Sequence, residues 1–267
     1  IAATTIITDD SDKGSTPGDQ KGLKDMDDFD LTPTNNFVAA LWTGYFNGIA
    51  KTNQALKALE TAKLDEDLKL RYQAEVRFFR GYYYFNLVRW FGGVPKVLKV
   101  PLDAYEANND PVYQTRATPD EIYALIIEDL TFAKENLLIK GVMPVGRVTK
   151  GTATAMLAKV YLTRKNWQEA YTLSQEVISS GSYSLLPDYS EIWRQVGDRS
   201  NEAIFEVQTG VYNNSDYGVP NYCVWQGPRV GGLQGWTDLG FGFNSPSQNL
   251  VNDYEEGDKR KESTIIF

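Results

Sequence analysis

Histidine is absent from this chain of 267 residues, and cysteine occurs once, at Cys223. The first absence removes the common nucleophile triads, histidine general bases and the usual zinc ligands in one step. The second removes any intramolecular disulfide framework. Because Cys223 is internal it is no N-terminal lipid attachment site, and it reads as a partly buried small side chain. Positive charge is also in deficit: 27 Lys and Arg face 35 Asp and Glu, for a net charge of −8. No basic block relieves it, which argues against nucleic acid or an anionic membrane surface as partner. No run approaches the roughly 18 apolar residues of a membrane-spanning helix, and no charged stretch followed by an apolar one opens the chain as a signal peptide would.

What remains is ample for a globular core. Apolar residues make up 42% of the chain, enough for one large domain or two small ones. The chain begins at Ile1 rather than Met and stops in the strand-like run Thr264-Ile265-Ile266-Phe267, so it reads as the interior of a longer protein.

Residues 1–33 are polar and turn-rich and read as an extended or looped lead-in. Helical spacing starts after Pro33, where Leu41, Trp42, Tyr45, Phe46, Ile49, Leu56 and Leu59 form a broad stripe. Residues 64–91 are its hairpin partner. In that segment Val76, Phe79, Tyr83, Leu87 and Trp90 share one face, while Phe78, Tyr82 and Phe85 lie on another. A helix apolar on two sides belongs between neighbouring helices. Gly92, Gly93 and Pro95 then end it. Residues 101–115 read as a loop. Thr118, Pro119 and Glu121 supply an N-cap, a proline at the first helical position and a capping-box glutamate for a helix to about Asn136. Residues 149–164 and the segment from Asn166 to Gly181 form another hairpin, with Asn166 and Glu169 as a second capping box and small residues at Ala155, Ala158 and Ala170. Trp42, Trp90, Trp167 and Trp193 sit in these regular patterns and read as core.

The order Glu75-x-Arg77-x-x-Arg80-Gly81-x-x-Tyr84-Phe85-x-Leu87-Val88-Arg89-x-Phe91-Gly92-Gly93-Val94-Pro95 resembles the signature helix and turn of the SusD/RagB family. The likeness continues through Arg116–Tyr123, Gly146–Ala153, Asn166–Ala170, Gly242–Ser247 and Asp258-Lys259-Arg260. It implies a SusD-like domain over 1–267, truncated at both ends. The fold is then mainly α, with a lead-in at 1–33, tetratricopeptide-like helical hairpins at 34–182, and short strands with long loops at 183–267. It further implies a lipid-anchored, glycan-binding lipoprotein of the outer-membrane surface, whose partner is a SusC-like TonB-dependent transporter. No cofactor is implied.

After Gly181 the pattern changes, with Tyr183–Leu186 and Ala203–Gln208 as candidate strands. Residues 209–248 then hold 8 Gly, 3 Pro, 2 Trp, 3 Tyr and only 3 charged residues. A segment of that composition without strong regular structure is expected to be functional. A sugar ring lays a face of C–H groups on aromatic rings, and its hydroxyls need amide, carboxylate or guanidinium partners. Tyr217, Tyr222, Trp225 and Trp236 are candidate platforms, and Asn221, Arg229 and Asp238 candidate polar partners. Each aromatic is equally readable as an anchor that ties the loop to the core. Asp9 and Asp10 resemble a short acidic stretch that lies near ligand in family members.

Other chemistry is weakly represented. Glu202 with Glu206, and Asp188 with Glu191, are nominal acid pairs for glycoside hydrolysis, but both read as solvated charges. Asp10-Ser11-Asp12-Lys13-Gly14 fails as a calcium loop, because its glycine falls one place early and Lys21 stands where a bidentate glutamate is required. Gly240-Phe241-Gly242 lacks the rest of a dinucleotide fingerprint. The leading expectation is therefore non-catalytic binding of oligosaccharide or polysaccharide. The alternatives are a tetratricopeptide-type scaffold for a protein or peptide, and a glycoside hydrolase.

Overall fold

The computed structural model describes residues 2–212, 215–217, 222–229 and 239–265. A π-helical turn at Ala2–Ile6 precedes β1 (Ser11–Gly14), α1 (Lys21–Asp27), α2 (Asn36–Thr61) and α3 (Glu66–Phe91). Next come α4 (Ala104–Asn109), α5 (Pro119–Asn136), α6 (Lys150–Thr163) and α7 (Trp167–Ser179). The remainder holds β2 (Gly210–Tyr212), β3 (Ser215–Tyr217), α8 (Tyr222–Gln226), β4 (Phe243–Pro246), α9 (Gln248–Asp253) and α10 (Arg260–Thr264). The chain divides into two compact units, one of residues 42–186 with 195–207, the other of 1–41, 187–194 and 208–267. The mainly helical class expected from the apolar spacing is the one observed.

In the helical unit α3 packs on α5, α5 on α6 and α6 on α7. Its core includes Tyr84, Phe85, Leu87, Ile122, Ile126, Leu130 and Val160, all buried. Each such side chain contributes about 1.5–3 kcal/mol of apolar burial. Neither apolar stripe of α3 is uniformly inward: Leu87 on one is buried, and Tyr82 on the other is 39% exposed. Phe78 and Phe85 are buried, whereas Phe79 and Tyr83 are half-buried, with Tyr83 meeting Tyr45 of α2 at 6.3 Å between ring centroids. Gly48 makes that approach feasible, since a Cβ there would come within 2.6 Å of the Tyr83 ring. Gly92 ends α3 at φ 67°, the left-handed region that glycine enters without strain.

Charge also enters this core. Arg80 donates from Nε to Asp129 Oδ2 at 2.7 Å and from Nη2 to Asp129 Oδ1 at 2.8 Å, a buried two-pronged pair, with Asn53 Oδ1 at 3.3 Å from Nη1. Burial pushes the Asp129 carboxyl up, against the opposing pull of Arg80. Glu75 is ion-paired to Arg147 at 2.7 Å. These contacts account for two of the charges in the α3 signature, Glu75 and Arg80, both buried, whereas Arg89 is exposed.

The caps follow the sequence closely. Thr118 and Glu121 complete a capping box, with the Thr118 hydroxyl accepting from Glu121 N. Asn166 caps α7 by accepting from Glu169 N at 3.4 Å, and the reciprocal half of that expected box is not part of the cap. A second full box forms instead at Thr149 and Thr152, where two threonine hydroxyls do the work usually given to glutamate.

Four local expectations are corrected. Residues 101–115 are not a plain loop: Asp103 Oδ1 accepts from Glu106 N at 2.8 Å and starts α4, and Asp110 caps a 3-10 turn at Pro111–Tyr113. Tyr183–Leu186 and Ala203–Gln208 are not strands. The first segment bonds instead to the residues just before the second, Ser184 N donating to Asn201 O and Leu186 N to the Glu202 carboxylate, one backbone and one side-chain bond that make no ladder. The lead-in is structured, with β1 and α1 inside it. Trp167 and Trp193 are 61% and 68% exposed rather than core. Trp167 opens α7, the last helix of the stack, and Trp193 sits on a 3-10 turn, so no further layer of their own unit covers them.

The other unit is built from distant parts of the chain. β1 pairs antiparallel with β4, in the register Ser11↔Pro246, Asp12↔Ser245 and Gly14↔Phe243. Alternation along β1 turns Ser11 and Lys13 inward and Asp12 outward. Ile6, Leu23 and Phe243 form a small core with half-buried Phe37 and Trp225 packed on it. The buried Lys13 ammonium is satisfied by the carbonyls of Thr16 at 2.8 Å and Asp19 at 3.1 Å, and lies 5.6 Å from the Phe243 ring centre. An inward lysine at this place is physically opposite to a calcium loop.

Candidate functional site

A cleft of about 880 Å³ lies in the unit of distant segments. Its walls are the lead-in from Thr5 to Thr16, the end of α8 with Arg229, the β4 strand, and Tyr254. Main-chain bonds fix these walls. Ser247 donates from N to Asp10 O at 2.9 Å and from Oγ to Asp9 O at 2.5 Å. Ser15 N donates to Gly242 O at 2.6 Å, Phe241 N to Val224 O at 2.7 Å, and Gly242 N to Gly227 O at 2.9 Å. Asn244 takes a left-handed φ of 63° and accepts from the Ser11 hydroxyl at 2.8 Å.

The sequence-derived candidates fall unevenly on this geometry. Asp10 and Arg229 line the cleft. Asp9 and Asp10 are exposed, and their carbonyls rather than their carboxylates hold the β4 end. Arg229 donates to the Ser15 hydroxyl at 2.9 Å and is ion-paired with Asp19. The Ser15 hydrogen bond, then the Arg229 guanidinium, hold the Asp19 carboxyl below the ordinary carboxylate value. Trp225 is half-buried, with its ring 5.1 Å from Phe243 and 5.9 Å from Phe241, so it ties α8 to β4. Tyr217 ends β3 opposite Gly210, and Tyr222 opens α8, but their side chains lie outside the described part of the structure. Asn221, Trp236 and Asp238 lie outside the described residues.

The sequence reading missed Ser15, Thr16, Gln226, Asn244, Ser245 and Tyr254 in these walls. The available signals were the Gly242–Ser247 motif and the alternation of Ser11 to Gly14, neither of which says that the two pair. The lining is rich in hydroxyl and amide groups with one guanidinium and aromatic surface. Such a surface suits a ligand with many hydroxyls and C–H faces.

Three of the four carboxylates nominated as acid pairs are hydrogen-bonded to backbone N–H groups. Glu202 accepts from Leu186 N at 2.7 Å, Glu206 from Arg199 N at 2.9 Å, and Asp188 from Ser190 N at 2.9 Å. These carboxylates are engaged in turns rather than facing one another across a gap. Among the described residues no group of three or more Cys, Asp or Glu is placed to hold a metal ion.

A family model described as SusD-like, "starch-binding associating with outer membrane", matches residues 7–162. The chain belongs to the SusD-like family. It is 29% identical over 246 residues to SusD-like protein P2 of Formosa agariphila, an alignment covering 89% of this chain and 47% of that one. It is 28% identical over 193 residues to starch-binding protein SusD of Bacteroides thetaiotaomicron, covering 67% of this chain and 33% of that one. Among solved structures, a laminarin-binding SusD-like protein superposes with a TM-score of 0.84 at 28% identity, over 99% of this chain and 60% of that one. The chain thus spans less than half the length of these two curated relatives. The SusD-like motif on α3 has a physical meaning here. Its Arg80 and Tyr84 are the buried polar side chains that tie α3 to α5 and to the turn after Gly92-Gly93.

Proposed function

We propose that this chain is the ligand-capturing part of a non-catalytic glycan-binding protein on the bacterial outer-membrane surface, lipid-anchored and serving a SusC-like TonB-dependent transporter. The observation that carries the reading is membership of the SusD-like family, whose relatives include proteins named for starch and laminarin binding. The hydroxyl- and amide-lined cleft supports a carbohydrate ligand, because each sugar hydroxyl taken from water requires a hydrogen-bonding replacement. Tyr217, Tyr222 and Trp236 remain the proposed platforms, Trp225 being engaged with Phe241 and Phe243, and Asn221, Arg229, Asp238, Asp9 and Asp10 are the proposed polar partners. Arg229 and Asp10 have the best geometric support, since they line the cleft. Binding without turnover is supported by the family likeness, whose named relatives are glycan-binding proteins.

The test is isothermal titration of the full-length protein against a panel that includes laminarin, starch and a hydroxyl-poor control polymer, with product analysis by reducing-sugar assay. Saturable binding to at least one glycan without sugar release supports the reading. Binding to none, or capture of peptides in preference to glycans, favours a tetratricopeptide-type scaffold. Steady sugar release abolished by one Asp or Glu substitution establishes a hydrolase.

A further inference from the structure

Charge decides which sugar polymers suit the cleft beside β4. Among the described residues lining it, Arg229 is the one cation and Asp10 the one acid. We infer that Asp19, which pairs with Arg229 without itself lining the cleft, is a specificity residue: it cancels the guanidinium charge, so that the cleft takes uncharged glycans and rejects those bearing uronate or sulfate groups. The inference rests on the glycan reading and names the ligand class within it.

Three observations carry it. The pair is closed within this unit. Asp19 Oδ2 accepts from the Ser15 hydroxyl at 2.9 Å and from Arg229 Nη1, and Nη1 also donates to Ser15 Oγ at 2.9 Å. Ser15 first and Arg229 second hold the Asp19 carboxyl below the ordinary carboxylate value, so it is charged at neutral pH. Asp19 is also fixed from inside. Its N–H donates to Thr16 O at 3.1 Å, and the buried Lys13 ammonium bonds the carbonyls of Thr16 at 2.8 Å and Asp19 at 3.1 Å, so the turn that presents the carboxylate is set before any ligand arrives. No second cation is at hand. Lys13 and Arg229 are the only Lys or Arg in residues 1–19 and 209–248, which form most of the walls, and Lys13 is turned inward, 4% exposed.

An anionic sugar entering the cleft would give up its hydration without gaining an unpaired cation, and would face Asp10 and Asp19. A hydroxyl meets no such penalty, because a guanidinium also donates from Nε and Nη2, which the Ser15 and Asp19 bonds do not use.

The experiment titrates full-length protein with carboxymethyl and hydroxyethyl derivatives of laminarin and of starch at equal, low substitution, so that the members of each pair differ in charge and not in bulk. For the parent protein the carboxymethyl member should bind about tenfold more weakly than the hydroxyethyl member at low salt, and the gap should narrow as salt is added. Asp19→Asn frees the guanidinium and should raise carboxymethyl affinity about fivefold or more while leaving hydroxyethyl affinity within about twofold. Asp67→Asn makes the same charge change at an exposed place on α3 in the other unit and should alter neither. Equal or tighter carboxymethyl binding by the parent overturns the inference and leaves the glycan reading intact, as does a carboxymethyl gain shared by Asp67→Asn or an Asp19→Asn effect equal on both members. Should neither member of either pair bind, the glycan reading and the inference fall together. If Asp19→Asn fails to fold, salt decides: repulsion relaxes on screening, so carboxymethyl affinity that rises relative to hydroxyethyl supports the inference, and one that falls or stays level overturns it.

Discussion

The two units of this protein are made by different rules. In the helical unit, α3, α5, α6 and α7 pack one on the next in chain order, so its order comes from partners within a few dozen residues. In the other unit, the Ser11 to Asn244 bond spans 233 residues, and Arg229 reaches back 214 residues to Ser15. Local contacts cost little loop-closure entropy, while the distant ones must be closed against a long chain. The first arrangement gives a scaffold with a continuous apolar core. The second brings loop residues from both ends of the chain around a cleft lined by groups that no single segment supplies.

The largest expected effect tests the claim that the helical unit depends on one buried ion pair. Asp129→Ala leaves Arg80 charged and enclosed, and should cost about 3–5 kcal/mol in urea unfolding. Replacing both partners with leucine should recover most of that loss, since the expense is the stranded charge rather than the missing attraction. A single variant no less stable than the parent would show that the core relaxes to admit water at Arg80. The counterpart in the other unit is Lys13→Met, which keeps the apolar stem and removes the donor from the carbonyls of Thr16 and Asp19. It should cost about 1–3 kcal/mol, measured in the same way. A larger loss at Lys13 than at Asp129 would reverse the comparison and make the lead-in the stability centre.

The same contrast explains what the sequence disclosed. Periodicity of three and four located α2, α3, α5, α6 and α7 to within a residue or two, because each is a long local pattern ended by a cap or a glycine. It also located Trp42 and Trp90, which are half-buried in the helical unit. It failed at Trp167 and Trp193, because a spacing rule cannot tell an inner helix from the last of a stack. Asp103 and Glu106 carried a readable cap signal for α4, hidden by the polar composition around it. In the other unit the motifs were visible but their meeting was not. Nothing in Ser11-Asp12-Lys13-Gly14 states that it pairs with Phe243-Asn244-Ser245-Pro246, since strand pairing across such a distance is set by tertiary packing rather than by local preference. The sequence pointed at Arg229 by residue type and at Asp10 by family resemblance, and the fold placed both at the cleft, whereas Ser15, Gln226 and Tyr254 had no local mark at all.

The next effect separates anchors from platforms. Trp225→Ala removes a half-buried ring from Phe243 and Phe241 and should lower stability by about 2–3 kcal/mol. A platform removed by Tyr217→Ala, Tyr222→Ala or Trp236→Ala should instead reduce glycan affinity about fivefold, equivalent to about 1 kcal/mol of ring stacking, at nearly constant thermal midpoint. If all three keep full affinity, stacking is not how the ligand is held, and the polar lining at Arg229 and Asp10 takes its place. If Trp225→Ala loses affinity and keeps its midpoint, Trp225 is a platform and its contacts with Phe243 are incidental.

The smallest effect is electrostatic and lies at the clasp of Asp19, Ser15 and Arg229. The folded state holds the Asp19 carboxyl below its unfolded value, first through Ser15 and then through Arg229. The folded protein therefore binds that proton less readily than the unfolded chain, whose aspartates titrate near about 3.9. Stabilisation from this group is present above that value and is lost as pH falls through the lower folded pKa. Both Asp19 and Arg229 are 36% exposed at their side chains, so solvent screens the pair and the effect is small. Unfolding midpoints of the parent and of Asp19→Asn should differ at neutral pH and converge as pH is lowered below about 4. Added salt should narrow the gap at pH 7 by screening the Arg229 contact while leaving the Ser15 hydrogen bond. No gap between the two at any pH would mean that Asp19 acts through its backbone carbonyl, which holds Lys13 and is kept in Asp19→Asn, and that the carboxylate contributes nothing to closing the two ends of the chain around the cleft.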